Sequence, residues 1–320
     1  MKEFDRTGSV RIRRRGLSVF VAVLFVNPFA LISAEDAPAS EIVERARANS
    51  PTGEADEASV KPTRDPATWI WSVPDPMPHV NHGVVFSEAM QRKVGYNIYL
   101  PPGYYENLEI RYPVVYFLHG VTGTEKTAAN MVHLVIAELN AGHIGPVIWV
   151  YVNGGQYSMH IDLPGTYVKT ETYYIEELIP HIDENYRTIA DRSGRAISGW
   201  SMGGAGSTRL AMKYPQLFCG VGSLGGAFRV MEEVARDDSA FAWAEKNADV
   251  IRSEVGLTFF IGEDDFLYEH NVELTQHFDR LDISYSFKTV METGHDLGKL
   301  QREIGREFVR SMAQFYAPAR

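Results

Sequence analysis

"GRAISGWSMGGAGSTRLAMKYP", residues 194–215, decides how the rest of the chain reads. Its first six residues suit a short buried strand, and the segment from Met202 suits a helix that opens on small residues and stops at Pro215. Gly199, Ser201 and Gly203 form a Gly-x-Ser-x-Gly pattern at the junction. The pattern alone is weak: with glycine and serine each near ~7%, about one chain in ten of this length carries it by chance. Its place between strand and helix gives it weight. A serine in that turn takes a tight backbone, and the flanking glycines remove side chains that would collide. The following N–H groups sit at a helix N-terminus, where the dipole favours a developing oxyanion. Ser201 therefore reads as a nucleophile rather than a residue of a plain glycine turn.

Outward from this stretch the chain alternates. "YPVVYFLHG" (112–120) is nearly all apolar, as a strand covered on both faces should be, and "GPVIWVYVNG" (145–154) reads as another buried strand. "FCGVGSLGG", "GLTFFIGED" and "SYSFKTVMET" read as further strands. Residues 124–142 have helical spacing, with Thr122-x-x-Glu125 as a capping box and Gly142 at the close. "TETYYIEELIPHIDENY" is helical with a proline bend, and "GKLQREIGREFVRSMAQFY" is the last helix. "GVVFSEA" and "RKVGYNIYLP", joined by a short connection, read as an antiparallel start. Strand–helix alternation predicts an α/β fold, a mostly parallel central sheet with helices on both faces. Ligands of such sheets bind beyond the carboxyl ends of the strands.

A serine nucleophile needs a base. Of the ten histidines, His295 in "METGHD" follows the last strand, beside Gly294, and is the expected base. His133 and His181 fall in helical patterns. His79 and His82 offer two ligands to a metal without a third, so a solvated loop is the reading and no metal is expected. Glu263, Asp264 and Asp265 all follow one strand, and spacing does not choose among them. Serine, acid, histidine is one of the known chain orders of catalytic triads. The loop "HGVTG" (119–123) would add the Val121 amide to that of Met202 as an oxyanion hole, with His119 fixing the loop. Gln156, Tyr157 and His160, after the strand ending near Val152, and Trp200 beside the serine are the candidate substrate-binding residues.

The rest of the composition bounds these readings. A formal charge of −10 argues against a nucleic-acid partner. The single cysteine, Cys219, reads as a small core residue. Arg11, Arg13, Arg14 and Arg15 precede the apolar run 16–34, which ends on Ser33-Ala34: a signal peptide is expected over residues 1–34. An uncleaved membrane anchor is the alternative, though Asn27 and Pro28 interrupt it. Residues 35–75 are rich in Ala, Glu, Asp, Pro and Ser and read as a flexible linker, with Trp69 and Trp71 marking first contact with a domain spanning residues 76–320.

"YNIYLPPGY", "YPVVYFLHGVTGTE", "ELIPHIDENYRTIADRSGRAISGWSMGG", "IGEDDFLYEHN" and "GHD" together resemble the esterase D-like esterases of the α/β-hydrolase fold, over about residues 83–317. Feruloyl and acetylxylan esterases, S-formylglutathione hydrolases and mycolyltransferases belong to that family. The resemblance places the family's Gly-x-x-Asp on Gly262 and Asp265, so it implies Asp265 as the acid with Asp264 in reserve. It supports Ser201, His295 and the amides of Val121 and Met202, and it implies no cofactor. Leu297 stands where many relatives carry Trp, and the loop "NGGQYSMHIDLPG" follows no single subfamily. The resulting expectation is an exported serine carboxylesterase acting on acyl esters of carbohydrate, feruloyl or acetyl in type. Alternatives are an S-formylglutathione hydrolase-like thioesterase, an acyltransferase, or an inactive hydrolase fold used as a binding module.

Overall fold

In chain order the strands are β1 (Asn81–Ser87), β2 (Arg92–Tyr99), β3 (Val114–Leu118), β4 (Ile148–Val152), β5 (Arg195–Trp200), β6 (Gly220–Leu224), β7 (Gly256–Gly262) and β8 (Ser286–Val290). They form one sheet in the order β1-β2-β4-β3-β5-β6-β7-β8. β1 pairs antiparallel with β2, and β2 with β4; every later pairing is parallel. Both expectations for the sheet hold. β3, β4 and β6 are buried at every position because the crossover helices cover both faces. This computed structural model describes residues 64–75, 77–230 and 235–320, so the expected signal segment and most of the expected linker lie outside the described residues.

The helices that position the site are α1 (Glu125–Ala128), α2 (Val132–Asn140), α3 (Ile179–Asn185), α4 (Met202–Lys213), α5 (Ala240–Lys246), α6 (Ala248–Glu254), α7 (Tyr268–Arg280) and α8 (Leu297–Ala313). α8 lays Leu300, Ile304, Phe308 and Met312 on the sheet, one residue per turn, and Asp296 caps it by accepting from the Lys299 N–H. α4 is buried along nearly its whole length, which its small residues permit.

Two local readings are corrected. The capping box lies at Thr124 and Thr127, not at Thr122 and Glu125. Thr122 instead bends the chain with φ at 65°, and Glu125 is turned into the protein interior. The proline bend is a π-helical stretch at Tyr173–Leu178 leading into α3. Pro180 has no N–H for the Glu176 carbonyl, and the ladder widens so that the Ile179 N–H reaches the Tyr174 carbonyl.

First contact with the folded part comes at Trp69 and Trp71, as their place in the sequence suggested, ahead of residue 76. Trp69 and Trp71 are buried, and the Gly95 N–H donates to the Trp71 carbonyl at 2.7 Å. An apolar pair of that size outweighs the polar composition around it.

Candidate active site

Ser201 has φ 54° and ψ −113°, a strained conformation for a residue with a side chain. Neighbours hold it there: its N–H donates to the Leu224 carbonyl at 2.9 Å, and its carbonyl accepts from Ala205 and Ala227, each at 3.0 Å. The glycines have the steric purpose the sequence implied. A Cβ on Gly199 would overlap the Gly203 carbonyl, and one on Gly203 would overlap the carbonyl of Leu118 at the end of β3. The elbow and the loop after β3 are thus in contact through bare backbone.

Three side chains from three strand ends meet over this turn. Ser201 Oγ lies 2.9 Å from His295 Nε2, and His295 Nδ1 lies 2.8 Å from Asp265 Oδ2. The second carboxylate oxygen of Asp265 accepts the Leu267 N–H at 2.9 Å, which fixes its rotation. Asp264 and Glu263 are exposed and turned outward, so Asp265 is the acid of the three that faces the imidazole. Trp200 stacks on the His295 ring, 4.3 Å between centroids at 25°, and Phe266 meets the same ring at 4.9 Å. Sequence reasoning missed Phe266, whose only signal was its place directly after Asp265.

The loop after β3 is held by two neutral histidines. His119 Nε2 accepts the Gly154 N–H at 3.1 Å, so its proton is on Nδ1, which donates to the Gly120 carbonyl at 2.7 Å. The Gly123 N–H reaches the same carbonyl at 3.0 Å. A planar trans peptide carries its N–H opposite its C=O, so anchoring Gly120 O turns the Val121 N–H the other way. Burial lowers the His119 pKa to about 4, against the opposing pull of its bond to Gly120. Among the described residues neither the Val121 nor the Met202 N–H has an acceptor; Met202 opens α4 and lacks one by helix geometry.

The expected substrate contacts divide. Trp200 lies against His295, and Tyr157 is half-buried at 6.1 Å from the Trp69 ring. His160 and Gln156 are corrections. His160 is fully buried: its Nε2–H donates to the His119 carbonyl at 3.0 Å and its Nδ1 accepts from the Tyr174 hydroxyl at 2.8 Å. Burial drives its pKa well below the usual histidine range, and both nitrogens are used inside the protein. The Gln156 amide is likewise occupied, by Thr122 and Ile70. Polar residues in a glycine-rich loop gave no sign of which would turn inward. His82, read as part of a solvated loop, lies in β1 with Nε2 3.1 Å from Ser72 Oγ. Among the described residues there is no group of three or more His, Cys, Asp or Glu that could hold a metal ion. Burial pushes the Cys219 thiol up to about 11, as befits a core residue.

Residues 87–278 match the family model described as "Putative esterase", well over half of the chain. The chain belongs to this esterase family. The chain is 36% identical over 135 residues to an esterase of Mycobacterium tuberculosis, covering 41% of this chain and 29% of that one. It is 33% identical over 168 residues to an endo-1,4-beta-xylanase/feruloyl esterase of Xylanibacter ruminicola, 48% of this chain and 23% of the relative. It thus spans less than a third of the length of these curated relatives. A solved ferulic acid esterase superposes with a TM-score of 0.66 at 26% identity, covering 73% of this chain and 97% of that one. The fold is that of the α/β-hydrolase esterases.

Proposed function

We propose that this esterase is an exported serine carboxylic ester hydrolase acting on acyl esters of carbohydrate, of feruloyl or acetyl type. The observation that carries the reading is the continuous line from Asp265 through His295 to Ser201, at 2.8 and 2.9 Å, beside two unspent amides. In this reading Ser201 Oγ attacks the ester carbonyl carbon while His295 Nε2 takes its proton. Asp265 holds the imidazole with its Nδ1–H inward and stabilises the imidazolium. The carbonyl oxygen, now an oxyanion, is met by the Val121 and Met202 N–H groups, which need no reorganisation because neither has another acceptor. Collapse expels the alcohol with the proton from His295, leaving an acyl-serine. Water then repeats the cycle, its proton passing to His295, and releases the acid.

Both the carbohydrate-ester substrate and the export rest on resemblance and sequence. The solved ferulic acid esterase is the structural likeness that bears on substrate, and the basic-then-apolar residues 1–34 bear on export. Among the described residues no helix is long and apolar enough to cross a membrane. A panel of p-nitrophenyl, feruloyl and acetyl-sugar esters, with S-formylglutathione as the thioester, tests the whole reading. The sugar and aryl esters should exceed the thioester by more than about tenfold in kcat/KM, about 1.4 kcal/mol of differential transition-state binding. Ser201→Ala should lose about 10⁴-fold in turnover, and a fluorophosphonate should label Ser201. A Ser201→Ala protein that keeps its activity would refute the mechanism, and a full-length protein retained unprocessed inside the cell would refute export.

A further inference from the structure

Thr122 is a β-branched residue at φ 65°, a backbone state such residues avoid. It directly follows Val121, so whatever holds Thr122 also aims the Val121 amide. Both of its backbone groups are gripped by one residue: the Thr122 N–H donates to the Gln156 carbonyl at 2.8 Å, and Gln156 Nε2 donates to the Thr122 carbonyl at 3.2 Å. The remaining amide oxygen of Gln156 accepts the Ile70 N–H at 3.0 Å. The side chain of Gln156 is therefore a bridge between the loop after β3 and the segment ahead of β1.

That segment is secured along its length. The Ile70 carbonyl accepts from Asn153 Nδ2 at 3.0 Å, and the same nitrogen donates to buried Glu125 at 2.6 Å. The other oxygen of Glu125 accepts the Val73 N–H. Trp69 and Trp71 close over Gly155, where φ is 84° and a Cβ would come within 2.7 Å of one ring and 2.8 Å of the other. The residues that do this, 69–73, precede the family match, which begins at residue 87.

We propose that residues 69–73 form a strap that positions the oxyanion-binding amide of Val121, acting through Gln156 and Thr122. The proposal rests on the oxyanion role given to Val121 above. It makes Gln156 and the Ile70 N–H positioning groups, and it extends the working enzyme ahead of its first strand. The strap's side chain at Ile70 is 47% exposed, so the contact with Gln156 is made by backbone and can be removed without opening the core.

Ile70→Pro in the full-length chain deletes the N–H. Trp69, at φ −75° and ψ 145°, already has the extended backbone that a residue before proline requires. Gln156→Met keeps the side-chain length and removes both amide bonds. Thermal melts establish folding, and kcat and KM are measured for an aryl ester and its thionoester, whose developing sulfur anion is a poorer hydrogen-bond acceptor. Both variants should lose about tenfold or more in kcat with KM within about twofold, because misplacing one oxyanion donor acts mainly on the transition state. The preference for oxygen over sulfur should shrink in parallel, and Ile70→Ala, which restores the N–H, should recover most of the rate. Unchanged kcat and unchanged oxygen preference in folded variants would overturn the strap, as would loss of the folded state in both. If Ser201→Ala retained activity, the fault would lie with the underlying mechanism instead.

Discussion

Acidification should destabilise this protein through His119, and the size of the effect follows from its surroundings. The ring is buried, its Nδ1–H is committed to Gly120 and its Nε2 to the Gly154 N–H, so a second proton has no acceptor to meet. The groups facing it are His160, with ring centroids 5.1 Å apart, and beyond that Arg209, which donates to the His160 carbonyl at 3.2 Å. Neither offers negative charge. With a folded pKa of about 4 against about 6.5 unfolded, the unfolded chain binds more protons between those values, so stability falls as pH falls. Linkage gives a loss on the order of 2–3 kcal/mol between about pH 7.5 and 4.5 from this group. The loss begins below about pH 6.5 and levels off only once the pH has fallen through the folded value of about 4. The uncharged His119→Asn isolates it, since Asn Nδ2 is placed to donate to the Gly120 carbonyl. Urea unfolding of both proteins across that range should show the wild type losing on the order of 2–3 kcal/mol more than the variant, or about 5–10 °C in Tm for a domain of this size. Parallel pH profiles would refute the argument, because they would mean that His119 is as easily protonated in the folded protein as in the unfolded chain.

Two further outcomes follow from the site geometry. Asp265→Asn should cut turnover by about 10⁴-fold while Asp264→Asn stays within about threefold, since Asp264 is exposed and Asp265 faces His295; equal losses in steady-state kinetics would mean the pair acts jointly. Gly203→Ala should abolish fluorophosphonate labelling of Ser201 or prevent folding, because its Cβ would overlap the Leu118 carbonyl; a fully active, normally melting variant would show that the elbow relaxes.

The sequence was most legible where one local constraint acts alone. The apolar runs of β3 and β4 suit covered strands, and Gly199 and Gly203 at a strand–helix junction suit a close approach. Choosing Asp265 over Asp264 was different. Both follow β7, and the choice depends on which side chain turns toward a histidine 30 residues away, information that spacing does not contain. The same limit explains Gln156 and His160. In "NGGQYSMHID" the polar side chains look equally free, and only the packing of Trp69, Trp71 and Tyr174 turns them inward. The cap at Thr124 was misplaced by two residues because Thr122-x-x-Glu125 fits the usual capping-box pattern, whereas the box that forms closes on the Thr127 hydroxyl. What selected between them was the interior need of Asn153 and Val73 for the Glu125 carboxylate.

Ser201 sits at the end of interior strand β5, whereas His295 follows β8, which has one neighbour, β7, and joins the sheet last in chain order. Ser201 and His295 are 94 residues apart. A ribosome releasing this chain N-terminus first therefore delivers the hydroxyl well before the imidazole that the proposed mechanism makes its base. Until β8 docks, that mechanism leaves the newly made polypeptide with an ordinary alcohol rather than a nucleophile. On the proposed mechanism, a chain synthesised among the cell's own esters and thioesters would in this way stay chemically silent until that strand is in place.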